Sequence, residues 1–125
     1  MNGVKMNSVS KESPLIAKSF AFAVHIVQLT KNLNIEKREF ILSKQIVRSG
    51  TSIGANVEEA NGAISNAEFK SKLSIAYKEA RETNYWLKLL HTTEFINKVD
   101  YEKLNLECEE ICKMLRASIN TMNKK

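Results

Sequence analysis

The sequence predicts an all-α protein folded as an antiparallel up-down-up-down four-helix bundle. Three observations predict it. Glycine and proline are scarce, four and one in 125 residues, too few to punctuate the turns of a sheet protein. Apolar residues recur at alternating intervals of three and four through four long segments, the signature of amphipathic helices. Short connections separate those segments, and short connections make sequential helices antiparallel neighbours. At 20 to 27 residues each, the helices are roughly 30 to 40 Å long at 1.5 Å per residue. Near-heptad stripes favour shallow crossing angles near +20°. A chain of this length fits one domain. The bundle is expected over residues 13–122, preceded by a flexible N-terminal arm, residues 1–12, which has no periodicity.

Ser13-Pro14 opens the first helix, with Ser as N-cap and Pro at the first helical position. Leu15, Ser19, Phe22, Ile26 and Leu33 form its core stripe. Ile16, Phe20, Ala23 and Val27 form a second stripe beside it, so the apolar face is broad. Asn32 and Asn34 are read as the turn, and the second helix as running from about Ile35 to Ala60. Leu42, Ile46, Gly50, Ile53 and Val57 face its core. It stops at Asn61-Gly62, where Gly62 is expected as a left-handed cap.

The third helix begins with a capping box, Ser65 with Glu68. Its core stripe is Phe69, Leu73, Ala76, Ala80, Thr83, Leu87 and Leu90. Tyr85, Trp86 and Leu89 lie away from that stripe. Asn97 to Asp100 reads as the last turn. The fourth helix carries Tyr101, Leu104, Cys108, Ile111, Leu115, Ser118 and Met122, and frays at Asn123. A bundle needs one apolar stripe per helix. The surplus on the first helix and at the end of the third argues for self-association.

Composition excludes several classes of function. Hydrophobic residues make up 43% and charged residues 26%, ordinary for a globular chain. The formal charge of +5 is a mild basic excess, compatible with a nucleic-acid partner but not diagnostic of one. The most apolar run, Phe20 to Val27, is broken by His25 and is too short to span a bilayer. The N-terminus lacks the order of a signal peptide, so a cytoplasmic protein with no membrane partner is expected. Cys108 and Cys112 lie four apart on one helix, which suits buried thiols rather than a disulfide. Only His25 and His91 are available to complete a metal site, so neither metal nor cofactor is expected. Glu-x-x-His pairs, nucleophile–His sets and phosphate-binding glycine loops do not occur, which speaks against an enzyme.

The most informative stretch is Gln45 to Glu59, QIVRSGTSIGANVEE. Opposite its core stripe, Arg48, Ser52, Asn56 and Glu59 recur at four, four and three. An ordinary solvated face would be rich in Lys and Glu, so this small polar stripe is a candidate contact surface, with Trp86 as a further candidate. Arg48 and Glu59 are about 16 Å apart along the helix, too far to pair within it. Glu58 and Glu59 sit where the helix dipole disfavours negative charge. A head-to-tail contact bringing Arg48 of one subunit to Glu59 of the next accounts for both, and such contacts close rings when the rotation allows. On the third helix Lys70, Arg81 and Lys88 fall within about 20° of one another. Lys37, Lys44 and Arg48 are read as lining one face of the second. In a ring such stripes repeat, and Lys37, Lys44, Lys70, Arg81 and Lys88 become candidate phosphate contacts for RNA or DNA.

QIVRSGTSIGANVEEA, followed by NAEFKSKLSIAYKEARETNYWLKLL, resembles the bacterial 23S ribosomal RNA intervening-sequence proteins, the S23 family. The residues carrying the resemblance are Arg48-Ser49, Ser52-Ile53, Asn56-Val57, Glu59, Glu68-Phe69 and Ile75-Ala76. It extends from about Ala17 to Arg116. It implies a homo-oligomer, typically a pentameric ring of bundles; the family name records gene location, not an activity, and the mild net charge favours an interaction scaffold whose partner is another protein. The related accessory proteins of diversity-generating retroelements imply the alternative, a basic ring that binds nucleic acid. The chain departs from the pattern at Ala60, where many members have Gly, and at Gly54, where many have Pro. The arginine that often follows the second helix is replaced by Ala63-Ile64, which weakens transfer of a nucleic-acid role.

Overall fold

Ser13 Oγ accepts the amide of Ile16 at 3.3 Å and Pro14 takes the first helical position, so the first helix starts where its cap residues place it. The computed structural model describes residues 13–124. The arm expected over residues 1–12 lies outside the described residues. Four helices follow: α1 Pro14–Ile35, α2 Leu42–Asn61, α3 Asn66–Thr92 and α4 Lys98–Asn123.

Cross-helix contacts give the chain directions. Gly50 and Gly54 of α2 lie against Ile26 and Ser19 of α1. Arg48 reaches Glu79 on α3, whereas Glu59, farther along α2, reaches Lys72. Tyr77 meets Arg116 and Asn84 meets Asn105 across α3 and α4. Lys18 and His25 of α1 meet Glu110 and Glu107 of α4. In every pair one number rises as the other falls, so all neighbouring helices are antiparallel. The bundle is up-down-up-down, as expected.

Every residue of the expected α1 core stripe is buried: Leu15, Ser19, Phe22, Ile26 and Leu33. Ile46, Gly50, Ile53 and Val57 of α2, Leu73 to Leu90 of the α3 stripe, and Leu104, Cys108, Ile111 and Leu115 of α4 meet them. Burying a side chain of this size is worth about 1.5–3 kcal/mol relative to leaving it exposed. Gly50 has no room for more: a Cβ there would lie 2.9 Å from Ile26 Cγ2.

The structure corrects the first turn. Asn32 and Asn34 belong to α1, because Leu33 between them is fully buried and the helix must continue to seat it. The turn is made later by Arg38, at a left-handed φ of 55°. The Glu39 amide then closes on Leu33 O at 2.9 Å, which satisfies a terminal carbonyl. The Glu39 carboxylate accepts the amides of Ile41, Leu42 and Ser43 at 2.8–3.1 Å and starts α2. Seven residues earlier, at Ile35, the chain is still in α1. Lys37 therefore lies in the loop and not on a face of α2.

Two further expectations change. Gly62 is not left-handed; at φ −95° its amide simply closes on Glu58 O and Glu59 O at 3.2 Å. Asn97 ends no turn but caps α4, accepting the Asp100 amide at 2.7 Å, so that helix starts at Lys98. The Ser65 cap holds, with Glu68 N–H donating at 3.1 Å, although the Glu68 carboxylate reaches back to the amide of Ile64.

Candidate functional site

The polar stripe of α2 runs beside α3. Arg48 donates to Glu79 at 3.2 Å and also pairs with Glu82. Glu82 in turn accepts the indole N–H of Trp86 at 3.0 Å. At the far end, Glu59 pairs with Lys72 at 2.8 Å, and this pair raises the Lys72 ammonium above its ordinary pKa. Asn56 donates to the Ser52 carbonyl at 2.9 Å, a local contact along α2. Arg48 and Glu59 thus each have a partner on α3 of their own chain. A contact between them across two subunits would exchange those partners. Glu79, Glu82 and Lys72 escaped sequence reasoning because only the packed register of α2 on α3 brings them to the stripe.

On the opposite flank of α2 the surface is apolar. Phe20 of α1 is 68% exposed, with Val24 and Val27 at 38% each. Phe20 borders a groove of about 260 Å³ between α1 and α2, lined also by Ala23, Gly54 and Ala55. Gly54 allows the helices to approach: a Cβ there would sit 3.4 Å from Ser19 O. Phe20 and Val27, with Ile16 and Ala23, are the surplus stripe expected from the sequence, of which Val24 is not part. The second surplus divides. Trp86 packs half-buried against the core, while Tyr85, its edge-on neighbour at 5.0 Å, is 58% exposed.

The basic residues also divide. Lys44, Lys70, Arg81 and Lys88 are exposed, and among the described residues none of them is in an ion pair. Arg81 meets Arg116 of α4 at the hydroxyl of Tyr77, the two guanidiniums donating at 3.2 and 2.7 Å. Both also lie over the Tyr77 ring, at 5.9 and 5.6 Å from its centroid. The bond from Arg116, then that from Arg81, holds the phenol below its ordinary pKa. The four-residue spacing of Tyr77 and Arg81 was visible in the sequence; the arrival of Arg116 was not.

The histidines occupy structural contacts. His25 pairs with Glu107 at 2.8 Å, and His91 stacks on Tyr101 at 4.4 Å. Both border a cleft of about 1250 Å³ where α1 and α4 part near the α3–α4 turn. Cys108 and Cys112 are free and buried. Among the described residues no group of three or more His, Cys, Asp or Glu is placed to hold a metal, and no helix is long and apolar enough to cross a membrane.

The model of the 23S rRNA-intervening sequence protein family matches residues 11–117. This chain belongs to that family. The four-helix arrangement agrees with the crystal structure of an S23-family protein of unknown function from Bacteroides thetaiotaomicron VPI-5482. The two are 54% identical, with a TM-score of 0.84 over 85% of this chain and 95% of the other. A search of curated proteins finds no match. Within this intervening-sequence protein the quoted motif folds as one unit. Ser49 and Ile53 face the core, and Arg48 and Glu59 reach α3.

Proposed function

We propose that this protein is a non-enzymatic scaffold that assembles head-to-tail into a homo-oligomeric ring. The observation that carries the reading is the apolar strip of Phe20, Val24 and Val27 beside the small-residue groove of Gly54 and Ala55. A strip of this kind, left in water, marks an interaction site. The second patch is unlike the first. Across α2 it presents Arg48, Ser52, Asn56 and Glu59, with Trp86 and Tyr85 beyond on α3. Two unlike patches on opposite flanks of one helix suit a heterologous contact, which closes into a ring when the rotation permits. The pentamer implied by the family resemblance is the ring we favour, and the cytoplasm its compartment.

Mass measured by light scattering after size exclusion tests this. The intact chain is expected as a multiple of 14.2 kDa, and Phe20→Asp as a folded monomer. A monomeric intact chain, or an unchanged mass for Phe20→Asp, would sink the reading.

A second reading, a basic ring that binds RNA or DNA, draws on the exposed Lys44, Lys70, Arg81 and Lys88. Its α2 half is weakened, because Arg48 is neutralised by Glu79 and Glu82, and Lys37 leaves the helix. Fluorescence anisotropy with structured RNA and duplex DNA across a salt series tests it. Phosphate contacts give a steep negative slope in log salt.

A further inference from the structure

Arg81 on α3 and Arg116 on α4 spend one N–H each on the same phenol oxygen of Tyr77. Among the described residues, neither guanidinium has a carboxylate partner. Like charges drawn to one point without a counter-charge are unfavourable; Arg48, by contrast, has Glu79 and Glu82, Lys18 has Glu110, and Lys72 has Glu59. At Tyr77 the balance is left open.

The donor count sharpens the point. Each guanidinium carries five N–H donors, and a phenol has one O–H donor besides its acceptor capacity. With its acceptor positions taken by Arg81 and Arg116, the Tyr77 hydroxyl is free to donate outward. The cluster then offers one O–H and several N–H groups from two helices around one point, with no acceptor among them. The half-buried ring of Tyr77, with the guanidinium carbons of Arg81 and Arg116 at 5.9 and 5.6 Å from its centroid, fixes where they converge.

We propose that Tyr77, Arg81 and Arg116 form an anion site for a phosphoryl group. Arginine forks match phosphate oxygens in bidentate fashion. Donors arriving from two helices and a phenol between them fit the three terminal oxygens of a phosphate monoester better than the two coplanar oxygens of a carboxylate. The site does not depend on the ring, because all three residues belong to one chain.

Calorimetric titration of the full-length protein at low salt with inorganic phosphate, a nucleoside 5′-monophosphate and a single-stranded oligonucleotide lacking terminal phosphate tests the site. Saturable phosphate binding is expected, weakened about tenfold or more in Arg116→Gln and in Arg81→Gln, the loss of a charge-assisted bond, and unchanged in Lys88→Gln. Binding by the phosphate and the monophosphate alone assigns the site to a small phosphorylated ligand. Binding by the oligonucleotide as well, lost in Arg116→Gln, assigns it to backbone phosphate. A second readout is independent of affinity: bound phosphate neutralises the guanidiniums, so the Tyr77 phenol should titrate at higher pH in ultraviolet absorbance. Absence of saturable phosphate binding, or equal binding by the folded Arg81→Gln/Arg116→Gln protein, would overturn the proposal.

Discussion

Ser49 Oγ and Thr83 Oγ1 lie 2.8 Å apart, both fully buried, where α2 crosses α3. Their hydroxyls complete a short polar chain, with Thr83 also 2.8 Å from Glu79 O and Ser49 3.5 Å from Ile46 O. Removing one member leaves the other without a side-chain partner in the core. Thr83→Val is expected to cost about 1–3 kcal/mol, the penalty of a buried polar group left unsatisfied. Adding Ser49→Ala should recover part of that loss. Urea melts of the two single variants and the double variant measure the coupling, and simple additivity would show that the hydroxyls do not act together.

Glycines 50 and 62 should respond to alanine in opposite ways. At Gly50 the new methyl would meet Ile26 Cγ2 at 2.9 Å and Ile26 Cβ at 3.3 Å. Ile26 is β-branched and fully buried, so it cannot swing aside. Overpacking typically costs about 1–3 kcal/mol, which exceeds the roughly 1 kcal/mol that alanine returns in helix propensity. Gly62 has φ −95° and its new methyl would meet nothing closer than 3.8 Å. Gly62→Ala should therefore stabilise by about 0.4–1 kcal/mol through the unfolded chain. Thermal melts of both variants decide; a stabilising Gly50→Ala would mean that α1 and α2 separate more easily than their packing implies.

The core was legible because one helix period reports one buried face. Leu15 through Leu33, and Leu73 through Leu90, were all assigned to the face they occupy. Gly62 and Asn34 misled for a common reason. Each residue type favours a turn, but the φ at a given position is set by which carbonyl the next amide can reach. At the first turn Leu33 had to be buried, so the chain turned at Arg38, a residue with no turn preference. The candidate contact surfaces were half legible. The surplus apolar strip on α1 is a property of one helix and could be counted from sequence. The partners of Arg48, Glu59 and Arg81 are properties of helix register, and no spacing within one segment reveals them.

Cys112 should react before Cys108. The Cys108 thiol lies 3.3 Å from the Ala80 carbonyl, and its interaction with Cys112 together with its burial pushes its pKa well above the ordinary value. Cys112 is held below its ordinary value, chiefly by its interaction with the neighbouring Cys108 thiol and further by Arg81 and Arg116. The thiolate is the nucleophile. Peptide mapping after brief alkylation of the folded protein should find label on Cys112 first. Arg116→Gln should slow that labelling. Faster modification of Cys108 would contradict the assignment.

The phenol of Tyr77 gives the stability curve a sign in alkali. Its folded-state pKa is depressed, by Arg116 first and Arg81 second. Below that folded value the group is protonated in both states and contributes nothing. As pH rises toward the ordinary tyrosine value of about 10, the folded state loses its proton before the unfolded state does, so stability rises with pH. The contribution is complete above the unfolded value and is lost again as pH falls through the folded one. Other groups titrate in the same window, including Lys72, whose raised value acts in the opposite direction. The informative quantity is therefore the difference between the intact protein and Tyr77→Phe. Urea midpoints measured from about pH 8 to about pH 10.5, bracketing the ordinary tyrosine value, should diverge, with the intact protein gaining on the variant as pH rises. Arg116→Gln should remove more of that divergence than Arg81→Gln, because the bond from Arg116 is the larger cause. A difference that stays flat across the window would mean that the guanidiniums do not stabilise the phenolate.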